Sequence, residues 1–277
     1  MSRKTVLITG CSPGSIGEAL TLEFIQRGFD VCATSLPSES LIDLQAKGAV
    51  TLPLDVTSAE SVRELKVTVS KVFEGKLDYL INCAGINYVM PALDIDINTL
   101  HQVFDINLFG VVRMVQAFTP LLIRSTGTIV NISSLAAYAP YVFGASYNAS
   151  KAALLAFDNT LRIELSPWNV SVQTVLAGPI VSGLMTRSSR ALPADSLYQP
   201  IRQQFEGRTH HAKHGVQAMP TAPFAADVVN DLTRTRKPKL NHWMGPFKWQ
   251  VWLLECLGLL SVWQIFFRRR FGLDKLP

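Results

Sequence analysis

Short β-branched runs alternate with longer amphipathic stretches along almost the whole chain, and this alternation constrains the fold more than any other feature. Strands are predicted at about 4–9, 29–34, 49–53, 78–82, 127–132, 170–176 and 240–243, with helices near 16–27, 38–47, 58–74, 97–124, 145–166, 195–207 and 223–235. Strands that arrive singly, each followed by a helix, pair in parallel and are covered on both faces. The expectation is an α/β fold: a doubly wound parallel sheet of about seven strands over residues 1–245, then a hydrophobic helical tail over 246–277. A chain of 277 residues, 48% of them hydrophobic, can bury such a core. Thr57 and Glu60 have capping-box spacing for the helix near 58, and Pro120 predicts a kink or break in the 97–124 stretch.

Between the first strand and the first helix runs Thr9-Gly10-Cys11-Ser12-Pro13-Gly14-Ser15-Ile16-Gly17. Glycines there let the backbone turn tightly against a pyrophosphate, whose charge is met by N–H groups at the helix N-terminus. Gly10, Ser12, Gly14, Ile16 and Gly17 are therefore candidate cofactor contacts. Asp55 and Val56 follow the third strand, where a carboxylate can accept from an adenine amino group, and Asn82, Ala84 and Gly85 follow the fourth. Ligands of open α/β sheets bind at these carboxyl ends. After the second strand the chain reads Thr34-Ser35-Leu36, with neither the acid that favours NAD nor an Arg. Without that acid, and with the Thr34 and Ser35 hydroxyls able to donate to a 2′-phosphate, the expectation is NADP (NADPH), with NAD possible.

Tyr147 and Lys151 are one turn apart on a single helix face. A phenol with a reference pKa near 10 is a poor acid or base at neutral pH unless a cation favours its phenolate. Lys151 is the candidate cation and a candidate partner of the nicotinamide ribose. Ser134, thirteen residues before Tyr147, can hydrogen-bond a substrate carbonyl, and Asn107 can hold a water that links Lys151 to solvent.

Carried by these residues, the chain resembles the short-chain dehydrogenase/reductase family over roughly residues 4–245, a Rossmann-type fold. The resemblance implies Ser134, Tyr147, Lys151 and Asn107 as the catalytic set, with Tyr147 the general acid in reduction. It also implies cofactor contacts from Gly178, Ile180 and Ser182, and a homo-dimer or homo-tetramer built on the helices near 97–124 and 145–166. The third glycine of the turn comes one residue late, after Ser15, Ala177 stands where the family has Pro, and Ser182 where it has Thr. The lengthened turn and the tail ending Phe271-Gly272-Leu273-Asp274-Lys275-Leu276 are similar to the fungal NADPH-dependent 1-acyldihydroxyacetone-phosphate reductase group, and related reductases of secondary metabolism share them.

Within residues 249–267 only Glu255 is charged, and Arg268-Arg269-Arg270 follows. The stretch reads as a helix or hairpin on a membrane or lipid-droplet surface, as packing on the domain or a subunit interface, or as a span, which needs about 20 apolar residues. Residues 183–277 carry 14 basic and 6 acidic side chains against 12 and 15 in residues 1–182, which reads either as a part that faces something anionic or as an ordinary solvated basic surface. With no nucleic-acid motif, a lipid surface or a charged substrate is expected rather than nucleic acid. Arg187, Arg190, Arg202, His210, His211 and His214 are candidate headgroup contacts, and no metal site is expected. Four scattered cysteines and an N-terminus that runs straight into a strand predict reduced thiols and no signal peptide. The expected location is the cytoplasmic side of endoplasmic reticulum or lipid droplet, otherwise the cytoplasm.

Three functions remain open: NADP(H)-dependent interconversion of a ketone and a secondary alcohol on a lipophilic, acylated ketone phosphate-like substrate; the same chemistry on a polyketide or terpenoid intermediate; and a catalytically silent cofactor-binding scaffold.

Overall fold

A computed structural model describes residues 3–185, 190–209, 217–234 and 238–276. Seven strands form one all-parallel sheet: β1 Thr5–Ile8, β2 Asp30–Ser35, β3 Val50–Pro53, β4 Tyr79–Asn82, β5 Thr128–Ser134, β6 Ser171–Ala177 and β7 Asn241–Met244. Their order is β3-β2-β1-β4-β5-β6-β7. The winding reverses between β1 and β4, and a crevice at such a switch point is where open α/β sheets hold ligands.

Side-chain alternation builds the core on both faces. Val6 and Ile8 of β1 point to one side, where Leu20 and Phe24 of α1 (Ile16–Gln26) meet Phe224, Val228 and Val229 of α8 (Thr221–Arg234). Leu7 points to the other side, against Leu65 and Val69 of α3 (Ala59–Val72), Met114 and Phe118 of α5 (Gly110–Ser125) and Leu154 and Leu161 of α6 (Ala145–Glu164). Between α1 and α3 lies the short α2 (Ile42–Ala46). Cys11 and Cys32 are buried in this core, and burial pushes each thiol up to about 12.

Two local expectations are corrected. The cap of α3 is Ser58, whose hydroxyl accepts from the Ser61 amide, because Thr57 is taken by Asp55: both its N–H and its hydroxyl donate to Asp55 Oδ1, at 2.9 and 2.7 Å. Pro120 does not break its helix. α5 continues through it, since Phe118, Leu121 and Leu122 are buried on either side and packing outweighs the roughly 3 kcal/mol that an interior proline costs. The irregularity lies upstream, where α4 (Ile97–Phe104) passes into α5 through a π turn, Asp105–Phe109. Stretch 97–125 is long and apolar enough to cross a membrane by length and composition, yet Val111, Met114, Phe118 and Leu122 pack it onto the sheet.

The tail forms two helices, α9 (Lys248–Cys256) and α10 (Leu260–Arg270), separated at Gly258 with φ +65°. At about 1.5 Å per residue neither approaches the roughly 30 Å of a bilayer core. One side of the pair is docked. Val251 packs on Leu135 and Leu176, and Phe267 and Phe271 join Tyr88, Phe143 and Phe205 in a third cluster. The other side is open, with Trp249 66%, Leu257 59%, Ile265 57% and Phe266 50% exposed. Cys256 is exposed there as well.

Candidate active site

The glycine turn is set by backbone approach. A Cβ on Gly10 would lie 2.7 Å from Ala84 Cα, and one on Gly17 would lie 2.4 Å from the Gly10 carbonyl oxygen. The first turn of α1, the loop after β1 and the loop after β4 thus touch main chain to main chain. Gly10 and Gly14 also take φ of +73° and +74°, where a side chain is strained. The Thr9 hydroxyl joins the same loops, accepting from the Cys83 and Ala84 amides at 3.1 Å each. Beyond Gly14 nothing lies within 4 Å of a Cβ position, so the turn opens to a free rim.

Ser15, the residue that lengthens the turn, is the N-cap of α1. Its hydroxyl accepts from the Glu18 amide at 3.0 Å and donates to the Gly10 carbonyl at 3.0 Å. The Glu18 carboxylate reaches back to the Gly14 N–H at 2.7 Å, so an anionic oxygen already meets an amide of this turn. Ile16 packs partly buried against the core.

On the adenosine side the expectation needs correcting. Thr34 is fully buried and its hydroxyl donates to the Ile8 carbonyl at 3.1 Å, so it does not face a ligand. Ser35 is buried too, its hydroxyl directed to the Leu36 and Glu39 carbonyls at 3.4 Å. Further along this loop stands an acid, Glu39. The loop after β2 folds back and brings its carboxylate onto the Ser12 hydroxyl. Glu39 lies four residues beyond the end of β2.

Asp55 is fixed at the end of β3 by Thr57 and by its own amide on Ser61 Oγ at 3.0 Å, and Val56 beside it packs against Gly110. Asn82 turns into the sheet and donates to Asn131 Oδ1 at 2.8 Å, while Ala84 and Gly85 present backbone. Across the switch point, Gly178 donates its N–H to the Met244 carbonyl at 2.8 Å, and a Cβ on it would lie 2.4 Å from the Pro246 carbonyl oxygen. Ile180 is buried and pairs with Met219, and Ser182 is half-buried. Glycine-walled backbone at successive strand ends and a helix N-terminus that already meets an anion fit an extended dinucleotide. A nicotinamide dinucleotide held there supplies a hydride.

At the catalytic end, Ser134 closes β5, donates to the Ala177 carbonyl at 3.2 Å and accepts from the Ala136 amide at 3.1 Å. It stands beside Tyr147, on the first turn of α6. Burial pushes the phenol up to about 12, opposed by the Ser134 hydrogen bond and by the positive charge of Arg208. At neutral pH it carries its proton and can give it away. The cation expected to lower it is aimed elsewhere. Lys151 Nζ lies 5.7 Å from the ring centroid and donates to the Ile132 carbonyl at 2.9 Å. Burial draws the lysine down to about 8, and the neighbouring Cys83 and Asp158 raise it. Burial holds the Cys83 thiol at about 12.

Asn107 sits fully buried in the π turn. Oδ1 accepts from the Ile86 amide at 2.8 Å, and Nδ2 donates to the Ile86 carbonyl at 2.9 Å and to Ser150 Oγ at 3.0 Å. Its side chain clamps the loop after β4 to α6, and that role takes both of its N–H donors.

Over this end stands an aromatic wall. A cavity of about 250 Å³ is lined by Pro91, Tyr141, Val142, Phe143, Asn148 and Tyr198, together with Leu273 from the tail. Arg202, exposed on α7 (Arg202–Thr209), pairs with Glu206, and Arg190 stacks on Tyr88 at 4.6 Å. Arg187, His210, His211 and His214 lie outside the described residues. Arg208, which the sequence did not single out, stacks on Tyr141 at 4.3 Å beside Tyr147.

Among known proteins, residues 4–192 match the model of the family described as short chain dehydrogenase. A short-chain dehydrogenase of Hypocrea virens is 41% identical over 275 residues, covering 99% of this chain and 94% of that protein. The NADPH-dependent 1-acyldihydroxyacetone phosphate reductase of Schizosaccharomyces pombe is 48% identical over 207 residues, 73% of this chain and 70% of that one. Among solved structures, a short-chain dehydrogenase from Streptomyces avermitilis matches with a TM-score of 0.80 at 26% identity, over 96% of this chain and 98% of that chain. With sequence matched along its full length and fold over nearly all of it, this chain belongs to the short-chain dehydrogenase/reductase family of oxidoreductases.

Proposed function

We propose that this enzyme uses NADP(H) to interconvert a ketone and a secondary alcohol on a lipophilic substrate of the acylated ketone phosphate type. The observation that carries the reaction is the Ser134–Tyr147 pair, a hydroxyl beside a phenol kept protonated. Ser134 orients the substrate carbonyl and Tyr147 donates its proton as the oxygen takes on charge. Lys151 stands behind the phenol, and Asn107 fixes the loop that flanks them. An intact set argues against a silent scaffold. The aromatic cavity is large enough for part of a polyketide or terpenoid ring as well. A panel of acylated ketone phosphates and polycyclic ketones separates these readings by kcat/KM.

The NADP(H) assignment is supported by the NADPH-dependent relative. Glu39, which meets Ser12 in the glycine turn, is the acid that would work against it if it lay beside the ribose, where a carboxylate repels a 2′-phosphate. The unmodified enzyme is expected to favour NADPH over NADH in kcat/KM. Glu39→Gln, which keeps the shape and removes the charge, should widen that preference several-fold. Higher kcat/KM for NADH in the unmodified enzyme would overturn the assignment.

The open side of the tail supports a location at a membrane or lipid-droplet surface. Exposed Trp249, Trp252, Leu257, Ile265 and Phe266 stand beside exposed Arg268, Arg269 and Arg270, each of which adds roughly 1 kcal/mol near an anionic leaflet. Full-length protein is expected to float with vesicles containing phosphatidylserine. Trp252→Ser combined with Ile265→Ser and Phe266→Ser should leave it in the soluble fraction with turnover intact. Equal flotation of both proteins, or of neither, refutes the surface reading. Exposed Ile163 on α6, with Phe109 just before α5 and Trp168 just after α6, supports a homo-dimer or homo-tetramer through these two helices.

A further inference from the structure

Arg208 is a largely enclosed charge that no described side chain neutralises. Its Nε is enclosed and has no hydrogen-bond partner. Its charge acts on Tyr141 and Tyr147, and no carboxylate pairs with it among the described residues. Tyr147 keeps its proton at neutral pH, so it supplies no counter-charge. Burial lowers the pKa of the guanidinium itself, the mark of lost hydration. Of the charged groups that a fold can enclose, an unpaired cation is among the most costly, and it persists where something else completes it.

The surroundings hold this cation in one place. Its guanidinium lies 4.3 Å over the Tyr141 ring, and Tyr141 is backed by Phe267 at 5.4 Å and Phe271 at 6.2 Å. Phe205, one turn before Arg208 on α7, is fully buried and lies 5.4 Å from Phe143. Stacking covers one face of the guanidinium plane, while its N–H donors point along the plane edges, which suits a bidentate oxyanion. The cavity wall and the proton donor are both within its electrostatic reach.

We propose that Arg208 reads an anionic oxygen group of the substrate, a phosphate or carboxylate a few bonds from the carbonyl that Tyr147 protonates. This assignment rests on the ketone-reducing reading above and adds to it the residue that would make a charged substrate preferred. It also explains why Arg208, rather than the exposed Arg202 or Arg190, is the cation that counts: those two already have partners outside the proton-donor site.

The test uses two pairs of ketones that differ only in charge: 1-acyldihydroxyacetone phosphate with its dephosphorylated form, and a long-chain 3-oxo acid with its methyl ester. The unmodified enzyme should prefer one charged member at least tenfold in kcat/KM, and which pair shows it tells phosphate from carboxylate. Arg208→Met should lose about a hundredfold on that member, mainly through KM, and less than threefold on its neutral counterpart. Arg208→Lys should recover part of the loss. An equal loss on both members would show that Arg208 acts on Tyr147 or on folding, and would overturn the proposal. Binding of dodecyl phosphate, followed by tryptophan fluorescence against dodecanol, separates this from failure of the ketone reading. If no ketone is reduced yet Arg208→Met weakens dodecyl phosphate at least tenfold and leaves dodecanol unchanged, the anion site stands and the ketone reading falls. If Arg208→Met does not fold, Arg208→Lys carries both measurements, with weaker binding of the charged member alone expected and unchanged selectivity overturning the proposal.

Discussion

Tyr147→Phe is expected to lower turnover at least a hundredfold while leaving NADPH binding and the unfolding temperature unchanged. The ring packing is kept and a single oxygen is removed, and the lost proton transfer is worth about 10²–10⁴-fold. Burial holds this phenol at about 12, so it carries its proton at neutral pH and gives it up only as the substrate oxygen takes on negative charge. Single-turnover reduction at saturating NADPH isolates the chemical step. Near-normal rates in the variant would mean that the proton comes from elsewhere and that this site is misassigned.

Cutting the chain after Gly245 is expected to lower the unfolding temperature by 10 °C or more and to impair turnover, not merely to release the protein from lipid. The docked side of the tail buries Val251, Phe267 and Phe271 to between 3% and 6% exposure. Burial of such side chains contributes about 1.5–3 kcal/mol each, so about 5–9 kcal/mol for the three. At about 2–4 °C per kcal/mol for a domain of this size, the shift is large. The cut also removes Pro246 from its contact with Gly178, and the aromatic backing from Tyr141. Thermal unfolding by circular dichroism, with kcat measured in parallel, decides the matter. A truncated chain that melts within a few degrees of the full one and turns over normally would show that the docked face is dispensable.

Much of this was legible in the sequence, and the parts that were not share a cause. The seven strands fall within a residue or two of their expected places, because a β-branched run between turn residues has few alternatives in a parallel sheet. Tyr147, Lys151 and Ser134 could be located because helix period and strand ends fix where they must be. The capping pair Ser15 and Glu18 also has a local signature, S-x-x-E before an apolar run. Glu39 and Arg208 were not readable in this way. Each acts through a loop or helix that folds back from several residues away, and local pattern carries no information about that return. Pro120 misled for the related reason that buried neighbours can hold a helix through a residue that breaks it in isolation. The tail looked like one apolar stretch, although Gly258 marks where it divides.

The cysteines have a consequence for how this enzyme meets oxidants and electrophiles. Attack by a thiol proceeds through its thiolate, and a thiol held near 12 is ionised to only about one part in 10⁵ at pH 7. Cys11 and Cys83 lie beside the glycine turn and Cys32 behind it, so the three sulfurs next to the cofactor crevice are inert where modification would do most harm. Cys256 is exposed on the first tail helix, more than a hundred residues along the chain from Lys151. Peroxide, maleimide or a lipid aldehyde at neutral pH therefore reacts at the outer edge of the molecule first, and the hydride-transfer crevice stays chemically quiet.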